Sequence, residues 1–147
     1  MATVEVTFTP LPAHVRTARL VATAVARRSG VDEALLDEVR LAVGEACSRA
    51  VEAHRRHCPA EPVRIEMTDL GERFEVVVSD AVPAVPAGSA GTSRAGGSEN
   101  GTPQPGGLPG GFGLAVISGL ADDVRITATG SGVSVRMTWP AAVGAQI

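Results

Sequence analysis

Between Leu36 and His54 the apolar residues recur at steps of three and four. Leu36, Val39, Val43, Cys47, Ala50 and His54 fall on one stripe, the signature of a helix with a buried side. The opposite side carries Glu38, Glu45, Arg49 and Glu52. Glu45 and Arg49 are one turn apart, and Glu38 and Glu52 lie two turns to either side of Glu45, so these charges are expected on one face. A Glu followed four residues later by Arg is also an ordinary exposed helix pair, worth about 0.2–0.5 kcal/mol. Asp32 suits the N-cap of this helix, which is predicted to run to about His57 and stop before Pro59. Upstream, Val4, Val6 and Phe8 alternate with Thr3, Glu5, Thr7 and Thr9, predicting a strand with one buried face. Pro10 and Pro12 close it, and Pro12 can occupy a first helical turn. A second helix is predicted over residues 13–28, with Val15, Ala18, Ala22 and Val25 inward and Ser29-Gly30 as its stop.

Downstream, Val63, Ile65 and Met67 alternate, Asp69-Leu70-Gly71-Glu72 reads as a turn, and residues 74–78 are a short apolar run. That is a β-hairpin. The pattern then breaks: of residues 80–110, eight are Gly and five are Pro, so this stretch is predicted to be a loop within the domain. Loops of this length inside compact domains are uncommon and usually functional or disordered. Residues 112–120 read as a short helix opening from Gly110-Gly111. Strands over 123–128 and 132–139, joined through Gly130-Ser131-Gly132, form a second hairpin. The order β-α-α-β-β-loop-α-β-β predicts an α+β, two-layer α/β sandwich, with helices on one face of a mixed, mostly antiparallel sheet.

Composition narrows the picture. A chain of 147 residues is expected to form a single domain over 1–147 with a sizeable core. Its apolar content of 44% and charged content of 20% fit a globular rather than a disordered chain. The net charge is −3 and the sequence contains no lysine, so no concentrated basic face points to nucleic acid. Arg27-Arg28 and Arg55-Arg56 are pairs suited to helix C-termini. No apolar run reaches the ~18–20 residues of a membrane span, and the N-terminal residues lack a signal-peptide pattern, so a cytoplasmic location is expected. Cys47 and Cys58 are too far apart along one helix for a disulfide; Cys47 reads as core and Cys58 as a helix-end thiol. His54 and His57 form no recognisable metal site with them.

Three segments in this order carry a resemblance. Ala42-Val43-Gly44-Glu45-Ala46-Cys47-Ser48-Arg49-Ala50-Val51 is similar to the N-box of GHKL-type ATPase domains, and more narrowly of the small bacterial anti-sigma factor/serine kinases. Asp80, at a strand end, is similar to the adenine-reading Asp of the first glycine box. Gly110-Gly111-Phe112-Gly113-Leu114 is similar to the second glycine box, and the Gly/Pro-rich stretch before it stands where the ATP lid would be. Asp122-Asp123-Val124-Arg125-Ile126 resembles the segment after that box. The likeness covers about residues 3–139.

The resemblance implies ATP or ADP as ligand. Glu45 would be a general base toward an incoming serine hydroxyl, Asp80 would read adenine, and Gly110, Gly111, Gly113 and Leu114 would cradle phosphates at a helix N-terminus. It also implies a sigma factor and a STAS-type anti-sigma factor antagonist as partners, and a homodimer, with Arg16 and Arg19 on the first helix as candidate contacts. Two positions depart from the pattern. The family's Mg²⁺-binding Asn is Arg49, whose guanidinium has five donors and no acceptor. The box Asp-x-Gly-x-Gly is replaced by Asp80-Ala81-Val82-Pro83-Ala84. Three roles are open to Arg49: pairing with Glu45 in the old metal position, direct contact with phosphate, or service in a site where Mg²⁺ is held by other ligands. The resulting expectation is an anti-sigma-type regulator. The alternatives are an antagonist-binding module without a sigma factor, and an active serine kinase of the antagonist. A histidine-kinase fragment or a topoisomerase-like ATPase fits less well, with no dimerising hairpin or transducer segment in the sequence.

Overall fold

The computed structural model describes residues 2–83 and 111–142. Eight elements follow in order: β1 (Ala2–Phe8), α1 (Pro12–Arg28), α2 (Glu33–His57), β2 (Val63–Asp69), β3 (Arg73–Ser79), α3 (Gly111–Leu120), β4 (Asp123–Thr129) and β5 (Gly132–Pro140). The strands form one sheet in the order β1-β2-β3-β5-β4. All four pairings are antiparallel, so the sheet is not mixed as the sequence reading allowed.

Local chemistry sets the boundaries. Pro12 opens α1, where a missing N–H costs nothing. Gly30, at φ 97°, turns the chain out of it. The Asp32 carboxylate accepts the Ala34 N–H at 2.8 Å and caps α2. In the β2–β3 turn, Asp69 accepts the Gly71 N–H at 2.9 Å, and Gly71 sits at φ 93°.

The inward positions of β2, β3 and β5 supply Val63, Ile65, Met67, Phe74, Val76, Val78, Val135, Met137 and Trp139, all essentially buried. Phe74 and Trp139 are cross-strand partners with ring centroids 6.4 Å apart. Helix α2 lies over this face between α1 and α3. The predicted stripe of Leu36, Val39, Val43, Cys47, Ala50 and His54 is buried throughout, and α1 packs on it through Val15, Ala18, Ala22 and Ala26. Helix α3 is anchored by buried Ile117, and by the Trp139 indole N–H donating to the Leu120 carbonyl at 3.0 Å. The outer face of the sheet is solvated and laced with exposed pairs such as Arg64–Glu5 at 2.8 Å and Arg64–Glu66 at 3.0 Å. Each is worth about 0–1 kcal/mol, so stability resides in the helix–sheet layer.

Two further expectations are corrected. Strand β1 buries its inward face only partly, with Val4 40% exposed, because it is the sheet edge. The charged face of α2 is divided. Between residues 41 and 55, neighbouring helices leave only Leu41, Glu45, Ser48, Glu52 and Arg55 in solvent. Arg49 lies about 40° round the helix from Glu45; that displacement carries it into the interior, where it is 7% exposed.

Candidate functional site

The buried centre of the site is where the end of β3 meets α2 and the start of β5. Asp80 follows β3 directly and continues its pairing with β5: its N–H donates to the Val133 carbonyl at 2.9 Å. Its Oδ1 accepts the Val133 N–H at 3.2 Å and the Val82 N–H at 2.9 Å. Its Oδ2 accepts Nη2 of Arg49, forming an ion pair with both side chains almost wholly buried. Gly132 makes the geometry possible. At φ 147°, a Cβ there would come within 2.0 Å of the Asp80 carbonyl oxygen, so a side chain could not let β5 start this close to Asp80.

A buried charge pair is sustained only when its remaining hydrogen-bonding groups are satisfied. Asp80 meets that condition with two backbone N–H donors besides Arg49. Arg49 meets it in part: Nε is buried and has no partner among the described residues. Five residues further along α2, His54 is completely buried. Its Nε2 accepts the Ala81 N–H at 2.8 Å, and its Nδ1 lies 2.8 Å from the Glu61 carbonyl. Arg49 and His54 thus hold the Asp80–Ala81 segment against the helix.

The predicted site residues are only partly gathered here. Arg49 and Asp80 meet. Glu45 is exposed on α2 and is not the partner of Arg49, which removes the Glu45–Arg49 pair from the three roles open to Arg49; the buried carboxylate takes the guanidinium instead. Gly111 and Gly113 lie in the first turn of α3, with Leu114 next to them in the helix. Gly110 and residues 84–109 of the Gly/Pro-rich stretch lie outside the described residues. Among the described residues, no group of three His, Cys, Asp or Glu side chains could hold a metal ion. Burial raises the Cys47 thiol to about 12, with nearby Arg19 opposing the shift, so it is neither ligand nor nucleophile. Cys58 is also raised, by burial and then by Glu61 and Asp80.

A second feature lies on the outer side of the helix layer. A groove of about 300 Å³ between α1 and α2 is lined by Pro12, Val15, Arg19, Ser48, Val51, Glu52 and Arg55. The Arg19 side chain crosses α2 at Gly44, where a Cβ would stand 2.7 Å from Arg19 Cδ. Glu52 pairs with Arg56 at 3.0 Å, while neither Arg19 nor Arg55 has a carboxylate partner among the described residues. Arg55 was read from sequence only as a helix-end charge. Its i+3 spacing from Glu52 and i+7 spacing from Ser48 was the available signal for a shared face.

With this geometry in place, residues 8–139 match the family described as the histidine kinase-like ATPase domain. The chain belongs to that family. Two solved structures share the fold at low sequence identity. The RsbU and RsbW domains of Rv1364c from Mycobacterium tuberculosis superimpose with a TM-score of 0.65 at 16% identity, covering 97% of this chain and 34% of that one. The mycobacterial sensor histidine kinase MprB gives a TM-score of 0.51 at 15% identity, covering 95% of this chain and 99% of that one. The chain thus spans about a third of the length of the first. No curated protein matches the sequence. Among the described residues, no helix is long and apolar enough to cross a membrane.

Within this family fold, the Arg49 position does not fit Mg²⁺. The Asp80 carboxylate, which the resemblance assigns to adenine, accepts from Arg49, Val82 and Val133, which leaves acceptor capacity on Oδ2 alone. The position that would supply a neutral oxygen ligand supplies a guanidinium, which cannot coordinate a cation.

Proposed function

We propose that this histidine kinase-like ATPase domain is an anti-sigma-type regulatory module that acts by binding protein partners. On this reading a sigma factor, its STAS-type antagonist, or both dock on the helix layer, and neither nucleotide nor phosphoryl transfer is needed. The observation that carries the proposal is the buried Arg49–Asp80 pair, which engages the carboxylate that the resemblance assigns to adenine. Glu45, exposed on α2, would then serve as a surface residue and not as a general base. The fold likeness to a structure containing an RsbW domain supports the partner class. The groove between α1 and α2 supports the docking face, because Arg19 and Arg55 border it without carboxylate partners among the described residues. Cytoplasmic action and homodimerisation belong to the same reading.

Titration calorimetry with ATP and ADP, with and without Mg²⁺, tests the nucleotide half. The expected result is no binding heat in the wild type. Arg49→Asn removes the guanidinium from Asp80 and tests for latent nucleotide affinity. Mg²⁺-dependent binding in the wild type overturns the proposal and favours the kinase reading, for which radiolabelled ATP must then label an antagonist serine. Affinity capture from a lysate, with sigma factors and STAS proteins identified by mass spectrometry, tests the partner half. Recovery of an antagonist with no sigma factor selects the narrower binding module.

A further inference from the structure

Strand register lines up the outward side chains of the sheet in straight rows, and one row crosses all five strands with its charges sorted. Glu5 of β1 stands opposite Glu66 of β2, and Glu66 opposite Val77 of β3. Val77 stands opposite Arg136 of β5, and Arg136 opposite Arg125 of β4. The sequence of charges is minus, minus, neutral, plus, plus, with the apolar member on the central strand. Like charges directly opposite each other destabilise a strand pair, and this row has one such pair at each end. Arg64 relieves the acidic pair, reaching Glu5 at 2.8 Å and Glu66 at 3.0 Å. The basic pair is less well served. Arg125 is 3.7 Å from Asp123 and Arg136 is 3.9 Å from Glu75, and the two arginine side chains are 72% and 53% exposed.

A row sorted in this way is complementary to itself. Two copies can meet face to face about a twofold axis lying between the sheets, directed either across the strands or along the central one. An axis across the strands sets Glu on Glu and Arg on Arg. An axis along β3 exchanges the two halves of the row: Glu66 faces the partner's Arg136, Glu5 faces the partner's Arg125, and Val77 meets its own copy. The charges thus select one axis. Beside this row, Ser79, Ser134 and Thr127 stand opposite one another with short side chains that do not hold a facing sheet away. Glu75 and Arg73 also lie on β3 and would face their own copies, but each is drawn aside within its sheet, by Arg136 and Asp122.

We propose that the open face of the sheet is a self-association surface, on which a second copy of this chain packs sheet to sheet with the two β3 strands parallel. The proposal rests on the homodimerisation of the reading above and on nothing else in it. The groove between α1 and α2 lies on the other layer and stays free for protein partners. Five strands about 4.8 Å apart, each of about seven residues, give a footprint of roughly 550 Å² per copy, the scale of a weak and reversible contact.

The experiment is sedimentation velocity on the full chain alone, across the micromolar to millimolar range that such a contact implies. The wild type is expected to dimerise at about 0.1 M salt and to dissociate about tenfold more readily at about 1 M, where the Debye length falls from about 10 Å to about 3 Å. Arg125→Glu with Arg136→Glu makes the row acidic throughout, and Glu5→Arg with Glu66→Arg makes it basic throughout. Each double variant is expected to be monomeric alone, and an equimolar mixture of the two is expected to recover the dimer. Circular dichroism checks that each is folded. Should either reversal fail to fold, Arg125→Gln with Arg136→Gln removes the attraction without adding repulsion, and is expected to weaken the dimer about tenfold. A wild type that stays monomeric overturns the proposal. So does a dimer that survives both reversals or the Gln variant, since another face then makes the contact, and so do monomeric reversals that fail to complement on mixing. None of these outcomes depends on nucleotide calorimetry or partner capture, so the two readings fail separately.

Discussion

The Arg49–Asp80 pair makes a quantitative prediction, because its two members are not equally well supported. Replacing Arg49 with Met leaves the Asp80 carboxylate with two backbone N–H donors, from Val82 and Val133. Replacing Asp80 with Asn leaves a buried guanidinium with no anion, and its Nε already has no partner among the described residues. Breaking a buried pair from one side costs about 3–5 kcal/mol when the remaining charge is uncompensated. Asp80→Asn is therefore expected to lose about 4 kcal/mol, and Arg49→Met about 2 kcal/mol because two donors remain to the carboxylate. The double variant removes both charges and is expected to lose only about 3 kcal/mol, a coupling of about 3 kcal/mol. The assay is urea unfolding followed by circular dichroism, with stability read from the midpoint at unchanged slope. In thermal scans Asp80→Asn is expected to melt about 10 °C lower, since a domain of this size loses about 2–4 °C per kcal/mol. Two single variants within about 0.5 kcal/mol of wild type, adding in the double variant, would refute the pair.

Gly132→Ala is expected to destabilise by about 3 kcal/mol in the same assay, since it adds both a strained φ and a contact 2.0 Å from the Asp80 carbonyl. Gly44→Ala should behave in the opposite way. A helical Ala is favoured by about 1 kcal/mol, and the clash is with the movable side chain of Arg19, so stability should hold while partner affinity, measured by calorimetry, drops about tenfold as Arg19 leaves the groove. Ile117→Ala is expected to cost about 2–5 kcal/mol and to raise amide exchange in α3 first, because Ile117 is the fully buried residue of that helix among the described side chains. Cys47, with its thiol raised to about 12, should resist a thiol reagent at about pH 8 in the folded protein. Labelling at Cys47 should track unfolding, while the partly exposed Cys58 reacts sooner.

Element order and the core stripe of α2 were legible because hydrophobic periodicity is set locally: one residue fixes which face its neighbours three and four away must share. The Asp32 cap, the Gly71 turn and the strand alternation are local in the same way. The candidate site was less legible. From spacing alone, Arg49 belongs with Glu45, and it is the 40° between them, combined with packing on both flanks of α2, that sends one into solvent and the other inward. Its partner, Asp80, is thirty-one residues away in sequence, and no periodicity connects a helix interior to a strand end. His54 was correctly placed on the buried stripe, but its role required Ala81 and Glu61, both contributing backbone groups that leave no trace in residue type.

The departures from the N-box and glycine-box patterns therefore read as one change. In the resembled motif, glycines after the Asp keep the backbone free of side chains where a base would lie. Here the same stretch is Ala81-Val82-Pro83, and α2 answers it with two side chains that occupy the Asp80 carboxylate and the Ala81 amide. Substituting glycines alone would leave Arg49 on Asp80, and substituting Arg49 alone would leave Val82 and Ala84, with their side chains, at the two glycine positions of the motif. Recovery of nucleotide affinity should thus require changes at both places. The combined variant Arg49→Asn with Val82→Gly and Ala84→Gly should bind ATP more tightly by calorimetry than the sum of the separate variants predicts. If Arg49→Asn alone restores full affinity, the changes in the glycine box are incidental, and the Arg49–Asp80 pair is the whole of the closure.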